Sequence, residues 1–298
     1  MKKIKTTALA IFGAAILTAG LYACSNDDAT TNNNTPTEQT TLSAKLISNS
    51  EIMNYDYEKI GIVHNQGLEY VYNRLAANAP LNDSYIMHQS QSFLIESIGK
   101  FLEVNGIGNN PDNISIIQKY TLTNNDFLSF DARKNYVPSL QEYKNSLSSD
   151  ALNLTNEIEN KVENFDFENS SIANFENELR EKIADSNKLL ETQKISQNEY
   201  ITLRTSISIA IHSGQYWKAN LNNWNNLVTT SDKQPSSWLG RWWRQTVKSD
   251  IAGGADGYKN GGGKVDDAKT AAIAASVSAG LQMIIDKIGG VDSTQPGS

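Results

Sequence analysis

Helical spacing of apolar residues dominates the chain from residue 42 to about residue 228. The first clear segment, residues 57–78, places five apolar or small residues at intervals of three and four: Ile60, Val63, Gly67, Val71 and Leu75. This spacing puts them on one side of a helix. No stretch combines sustained apolar–polar alternation with hairpin turns, which is the pattern of antiparallel strands. The sequence therefore predicts an all-α fold, an irregular helical bundle, with a main domain over residues 42–248.

Capping signals suggest where the next helices begin and end. Asp83 is expected to cap a helix that ends near Gly106, and a weaker helix is predicted over residues 112–130. Pro138 is expected to fall between helices.

Two capping boxes and one further helix complete the prediction for this domain. Ser139 with Glu142, and Ser196 with Glu199, have the spacing of a hydroxyl residue at an N-cap and a glutamate three positions later. The segment 171–194 lies between them and is also predicted to be helical.

Residues 249–298 are predicted to form a Gly-rich loop and a C-terminal helix of small residues. The glycines fall within residues 251–264, and the helix is expected over residues 265–288. Its uncharged part, residues 270–285, is shorter than the roughly 20 residues that span a bilayer. A small residue recurs at every fourth position: Ala272, Ser276 and Gly280. Such a face permits either docking into a groove of the bundle or a membrane-active role that resembles the pore-forming helices of bacteriocins.

The residue patterns predict no catalytic residue, no cofactor and no metal site. The three histidines, His64, His88 and His212, stand outside any H-E-x-x-H motif, and no G-x-S-x-G or phosphate-binding glycine motif occurs. Residues 256–267 can be aligned with a calcium-binding loop, but the third and eighth positions do not fit. A hydrolase of unknown type is the third function that we expect.

His64 and Asn65 form one candidate structural or ligand site. They lie in a predicted helix close to Gly67, which favours a close contact with another helix. We expect His64 to bond to a neighbouring backbone, and a ligand role is the alternative.

A second candidate is an aromatic and basic patch. All five tryptophans lie between residues 217 and 243, and residues 233–249 contain four cations and no acid. The residues proposed as a ligand or partner surface are Trp238, Arg241, Trp242, Trp243 and Arg244. Tryptophan with arginine suits a packed lid over the bundle, a binding platform or a membrane-interface anchor.

The first 23 residues have the pattern of a signal peptide. A cationic start is followed by a short apolar stretch and by Leu21-Tyr22-Ala23-Cys24, which contains the only cysteine. This sequence resembles the bacterial lipobox. The resemblance implies cleavage before Cys24, diacylglycerol on its sulfur and a further acyl chain such as palmitate on its amine. Two or more chains give stable anchoring. The alternative is an ordinary secreted protein with a spare cysteine.

The residues after Cys24 are expected to form a tether. Residues 24–41 are polar and have nothing to bury, so they predict a solvated spacer. Ser25-Asn26-Asp27-Asp28 resembles the surface-export signal of Bacteroidetes lipoproteins. An outer-membrane anchor that faces outward and one that faces the periplasm both remain open.

Charge excludes one class of partner. Loss of Lys2, Lys3 and Lys5 with the leader changes the formal net charge from -7 to -10. So acidic a body is a poor nucleic-acid binder, because phosphate contacts need a cationic surface. The membrane, reached through the lipid, and another envelope protein remain as partners.

Three short elements together resemble a group of uncharacterised Bacteroidetes lipoproteins. They are the His64-Asn65-Gln66-Gly67-Leu68 helix, Ser213-Gly214-Gln215-Tyr216-Trp217, and the Gly/Ala-rich tail. The resemblance implies no activity. The function expected first is therefore a membrane-anchored, non-enzymatic binding or envelope-structural module, and the second is a toxin-like, membrane-active lipoprotein that uses the C-terminal helix.

Overall fold

The computed structural model describes residues 48–81, 83–108, 110–228, 236–261 and 263–288. The predicted signal peptide, Cys24 and the tether lie outside the described residues, and so does the side chain of His88.

Throughout the described ranges the chain forms helices and no strand, which confirms the all-α bundle. The helices are α1 (Asn49–Met53), α2 (Glu58–Ala76), α3 (Asp83–Val104), α4 (Pro111–Tyr120), α5 (Asn124–Leu128), α6 (Phe130–Ser139), α7 (Ser149–Glu163), α8 (Ile172–Glu191), α9 (Gln197–Asn225), α10 (Ser236–Asn260) and α11 (Val265–Ile288). A 3₁₀ turn, Glu142–Ser146, precedes α7.

The capping box at the start of α9 is confirmed. The Ser196 hydroxyl accepts a hydrogen bond from the Glu199 amide, and the Glu199 carboxylate accepts one from the Ser196 amide at 2.8 Å. These bonds satisfy amides that a helix start leaves without intrahelical partners.

The helix predicted over residues 112–130 is wrong, because the chain divides it. Helix α4 ends at Tyr120, and Thr123 with Asp126 forms a new capping box that starts α5. A third helix, α6, begins at Phe130. The strong local cap outweighs the continuous spacing of apolar residues.

The capping box predicted at Ser139 is also wrong. Pro138 lies inside α6, near its end, and the Ser139 hydroxyl donates to the backbone oxygen of Tyr136. Ser148 caps the following helix, α7, by accepting from the Ala151 amide. A proline in the last turn removes only one backbone bond, so the helix can include it.

Helices α9, α10 and α11 form the centre of the bundle. On one side α2, α3 and α4 pack against α11, and on the other α7 and α8 pack against α9. Helices α10 and α11 are antiparallel, because Gly253 lies against Ala275 and Gly257 against Ala271.

The predicted Gly-rich loop is shorter than expected, since Gly253, Gly254 and Gly257 lie within α10. A Cβ on Gly253 would be 2.6 Å from the Cβ of Ala275, and one on Gly257 would be 2.9 Å from the backbone oxygen of Asp267. The glycines therefore act as contact points between helices. The domain boundary expected after residue 248 falls inside this same helix.

Helix α11 is docked in the bundle by the small face predicted from its sequence. A Cβ on Gly280 would be 2.9 Å from the ring of Trp217, and the Ser276 hydroxyl lies 3.3 Å from the Trp217 ring nitrogen. In the described ranges α11 is the helix long and apolar enough to cross a membrane, yet 94% of its most apolar window is buried in the bundle.

Replacing Gly257 with alanine tests the contact between α10 and α11. We expect the free energy of unfolding to fall, because overpacking costs about 1–3 kcal/mol. The backbone oxygen of Asp267 cannot move aside as a flexible side chain can, so this cost should exceed the gain of about 1 kcal/mol in helix propensity. Urea unfolding at equilibrium measures the change. Asn156→Ala, on the exposed face of α7, is the control in which propensity acts alone. A Gly257→Ala protein as stable as the wild type would contradict the close contact.

Candidate functional site

His64 and Asp250 face one another at the centre of the bundle. The Nε2 atom of His64, on α2, lies 3.4 Å from Oδ2 of Asp250, on α10, and both side chains are fully buried. The two atoms are close enough for an ion pair, but their arrangement does not meet the geometry of a hydrogen bond.

Helix α9 contributes two donors to Asp250. On α9, the Ser213 hydroxyl donates to Asp250 Oδ2 at 2.5 Å and the Trp217 ring nitrogen donates to the same oxygen at 3.1 Å. The Trp217 nitrogen also lies 3.3 Å from the Ser276 hydroxyl on α11. Four helices thus meet in one sealed cluster, the central polar network of His64, Ser213, Trp217, Asp250 and Ser276.

Hydrogen bonds around Asn65 fix the proton on one nitrogen of His64. The Asn65 amide donates to the backbone oxygen of His212 at 2.9 Å, so its oxygen is the acceptor that faces His64 Nδ1 at 3.0 Å. His64 Nδ1 must therefore carry a proton. The expected bond from His64 to a neighbouring backbone is made instead by Asn65.

Two atoms of the network have no hydrogen-bond partner among the described residues, His64 Nε2 and Asp250 Oδ1. The Asp250 carboxylate is therefore held through Oδ2, which accepts both hydrogen bonds from α9.

Serine, histidine and aspartate are the residue types of a hydrolase triad, but their arrangement here differs from one. The Ser213 hydroxyl donates to Asp250 and not to His64, and the residues have no exposed surface. In a triad the histidine receives the serine proton. The arrangement of the central polar network is instead suited to holding its four helices together.

His212 lies in a separate, partly exposed cluster. Its Nε2 is 2.8 Å from Glu58 Oε2, and Arg180 Nη1 is 2.9 Å from the other oxygen of Glu58. Burial works to raise the pKa of Glu58, but hydrogen bonds from His212 and Arg180 outweigh it and leave that pKa below its ordinary value. This cluster ties α2 to α8 and α9.

The residues aligned with a calcium loop do not form one. Asp256 lies in α10, where its carboxylate accepts hydrogen bonds from Lys119 at 2.8 Å, from Tyr120 and from Asn260. Burial, and next the hydrogen bond and charge of Asp256, raise the pKa of Tyr120. Across the described ranges, no group of three or more His, Cys, Asp or Glu side chains is placed to hold a metal ion.

The proposed tryptophan surface is corrected by the structure. Trp238, Trp242 and Trp243 are 7%, 2% and 0% exposed, which matches the packed-lid alternative. Helical spacing turns these rings inward and leaves Arg241 and Arg244 half-buried at the edge, where Arg244 lies 4.0 Å from the carboxylate of Glu163.

Trp243 nevertheless supports the floor of a surface groove. Its ring packs against Phe165 and Phe175, with ring centres 4.4 and 5.2 Å away. These two phenylalanines are at the floor of a groove of about 570 Å³ between α7 and α8.

Sequence reasoning found His64 and Asn65 but missed the partners that give them their role. Ser213 and Trp217 are four residues apart and so share a helix face, which was the available signal. The sequence around Asp250 contains no such signal, because only the packing of α10 brings Asp250 to Ser213 and Trp217.

Comparison with known proteins does not place the chain in a family. A scan of protein-family models, a search of curated proteins and a search of solved structures each find no match to the chain.

The central polar network can be tested by replacing Asp250 with alanine. We expect the free energy of unfolding to fall by about 1–3 kcal/mol for each buried donor that loses its acceptor, because the Ser213 hydroxyl and the Trp217 ring nitrogen both donate to Asp250. Urea unfolding at equilibrium measures the loss. Glu163→Ala removes a half-exposed carboxylate that pairs with Lys248 and should cost much less. Equal losses in the two variants would show that Asp250 has no special role.

Proposed function

We propose that this chain is a bacterial outer-membrane lipoprotein, anchored through lipid on Cys24, whose helical body is a non-enzymatic binding or envelope-structural module. The observation that carries the proposal is the sequence Leu21-Tyr22-Ala23-Cys24, placed directly after a cationic and then apolar start.

The body supports the second half of the proposal. The central polar network, which has the residue types most suited to catalysis, is sealed among four helices. Helix α11 is docked along its length, which favours a folded, bundled tail over a membrane-active one. A stable body held at a membrane by a polar spacer suits binding or scaffolding.

Lipid on Cys24 is testable by labelling cells with an alkyne analogue of palmitate. The wild-type chain should take up the label and sediment with membranes. Cys24→Ser should do neither, because it lacks the sulfur that carries the diacylglycerol. Ser25→Ala, beside the cysteine, is the matched control and should behave as wild type.

A Cys24→Ser protein that still sediments with membranes, or a native N-terminal peptide without acyl mass, would contradict the anchor. Protease treatment of intact cells distinguishes the two orientations. A surface-facing body is digested, whereas a periplasm-facing body is cut only after the outer membrane is broken.

A further inference from the structure

The groove between α7 and α8 presents polar groups that the protein does not use. Asn160 and Asn164 on α7 and Asn174 on α8 are exposed and line its walls. Among the described residues, these three amide side chains have no hydrogen-bond partner within the protein. Each amide offers both donors and an acceptor to a ligand.

The charges in the groove are already paired with one another. Lys161 on α7 lies 2.8 Å from Glu178 on α8, and Lys182 on α8 lies 2.7 Å from Glu157 on α7. A charged ligand would have to compete with these ion pairs, so the groove favours a neutral one.

The floor of the groove is fixed and offers little apolar area. Phe165 and Phe175 are 6% and 3% exposed, and Trp243 holds them from below. The ammonium group of Lys218 also lies 5.5 Å from the centre of the Phe165 ring. A ligand with large apolar anchors therefore finds no pocket here, and the polar walls are the part of the groove that a ligand can bind.

The groove extends to the end of the bundle opposite α1. Asn49 of α1 is bonded by Gln197 at the start of α9, and the Ser148 amide, before α7, donates to Glu199. These contacts place α1 and the starts of α7 and α9 at one end. The turn between α7 and α8, residues 164–171, is therefore at the other, away from where the described chain begins.

We propose that this groove binds a neutral oligosaccharide, with Asn160, Asn164 and Asn174 bonding its hydroxyl groups. Hydroxyls donate and accept, as these amides do, and the groove volume lies within the roughly 300–1,000 Å³ typical of ligand sites. The inference rests on the proposed function of a binding module and names the class of ligand.

The test uses the full chain in a detergent without a sugar headgroup, titrated in a calorimeter. Four neutral probes are maltotriose, cellotriose, mannotriose and triacetylchitotriose; sialyllactose is the anionic probe and tetraalanine the peptide probe. We expect at least one neutral probe to bind. Asn160→Ala with Asn174→Ala should weaken that binding by about tenfold or more, since two hydrogen bonds are lost.

Asn153→Ala on α7 and Asn177→Ala on α8 are matched controls, because both residues are exposed and lie outside the groove. They should bind as wild type, and thermal melts should show that all variants fold. Binding of no neutral probe, binding of sialyllactose or tetraalanine alone, or equal affinity in the Asn160 and Asn174 double variant would overturn the proposal. Cys24→Ser should keep the affinity, so a failure here is distinct from a failure of the anchor.

Discussion

The sealed contact between His64 and Asp250 is the interaction on which the centre of this bundle depends. Burying two ionisable groups is costly, and hydrogen bonds to the pair offset part of that cost. Here the donors come from Ser213 and Trp217 on α9, while Asn65 holds the imidazole from its other side. A shift of α2, α9 or α10 would leave a buried polar group without its partner, so the network selects one arrangement of these helices.

Small residues allow the helices to pack closely enough for that arrangement. Gly253 and Gly257 let α10 approach Ala271 and Ala275 of α11, and Gly280 lets α11 approach Trp217. Larger side chains at these contacts would move α11 away from α9 and α10, and with it the Ser276 hydroxyl. The close packing and the polar network are therefore two parts of one constraint.

Local patterns in the sequence predicted part of this structure correctly. The apolar spacing of α2 and the Ser196–Glu199 cap depend only on neighbours within one helix, and both are confirmed. The small-residue face of α11 also indicated a close contact, although its partner, Trp217, could not be identified from spacing.

The sequence-based predictions were wrong where contacts between residues far apart in the sequence determine the structure. Gly253 and Gly257 suggest a loop when read alone, but their contacts with α11 stabilise a helix. Trp238, Trp242 and Trp243 suggest an exposed platform by composition, yet the rings are buried. Asp250 could not be connected with His64, because 186 positions separate them in the sequence and only the tertiary fold brings them together.

The groove between α7 and α8 is supported by residues next to the central polar network. Trp243 donates to the backbone oxygen of Gly214 at 3.0 Å, one residue after Ser213, and its ring supports Phe165 and Phe175. Trp243, one of the residues that the sequence suggested as a binding surface, thus contributes from below. It supports the floor of a groove whose walls are made by other side chains.

The hydrogen on Nδ1 of His64 tests the central claim most directly, because the bond to Asn65 requires it. Nitrogen-15 NMR of the imidazole ring at neutral pH reports whether each ring nitrogen carries a hydrogen. We predict that Nδ1 carries one and donates it to the side-chain oxygen of Asn65. An Nδ1 at the shift of an unprotonated nitrogen would contradict the network.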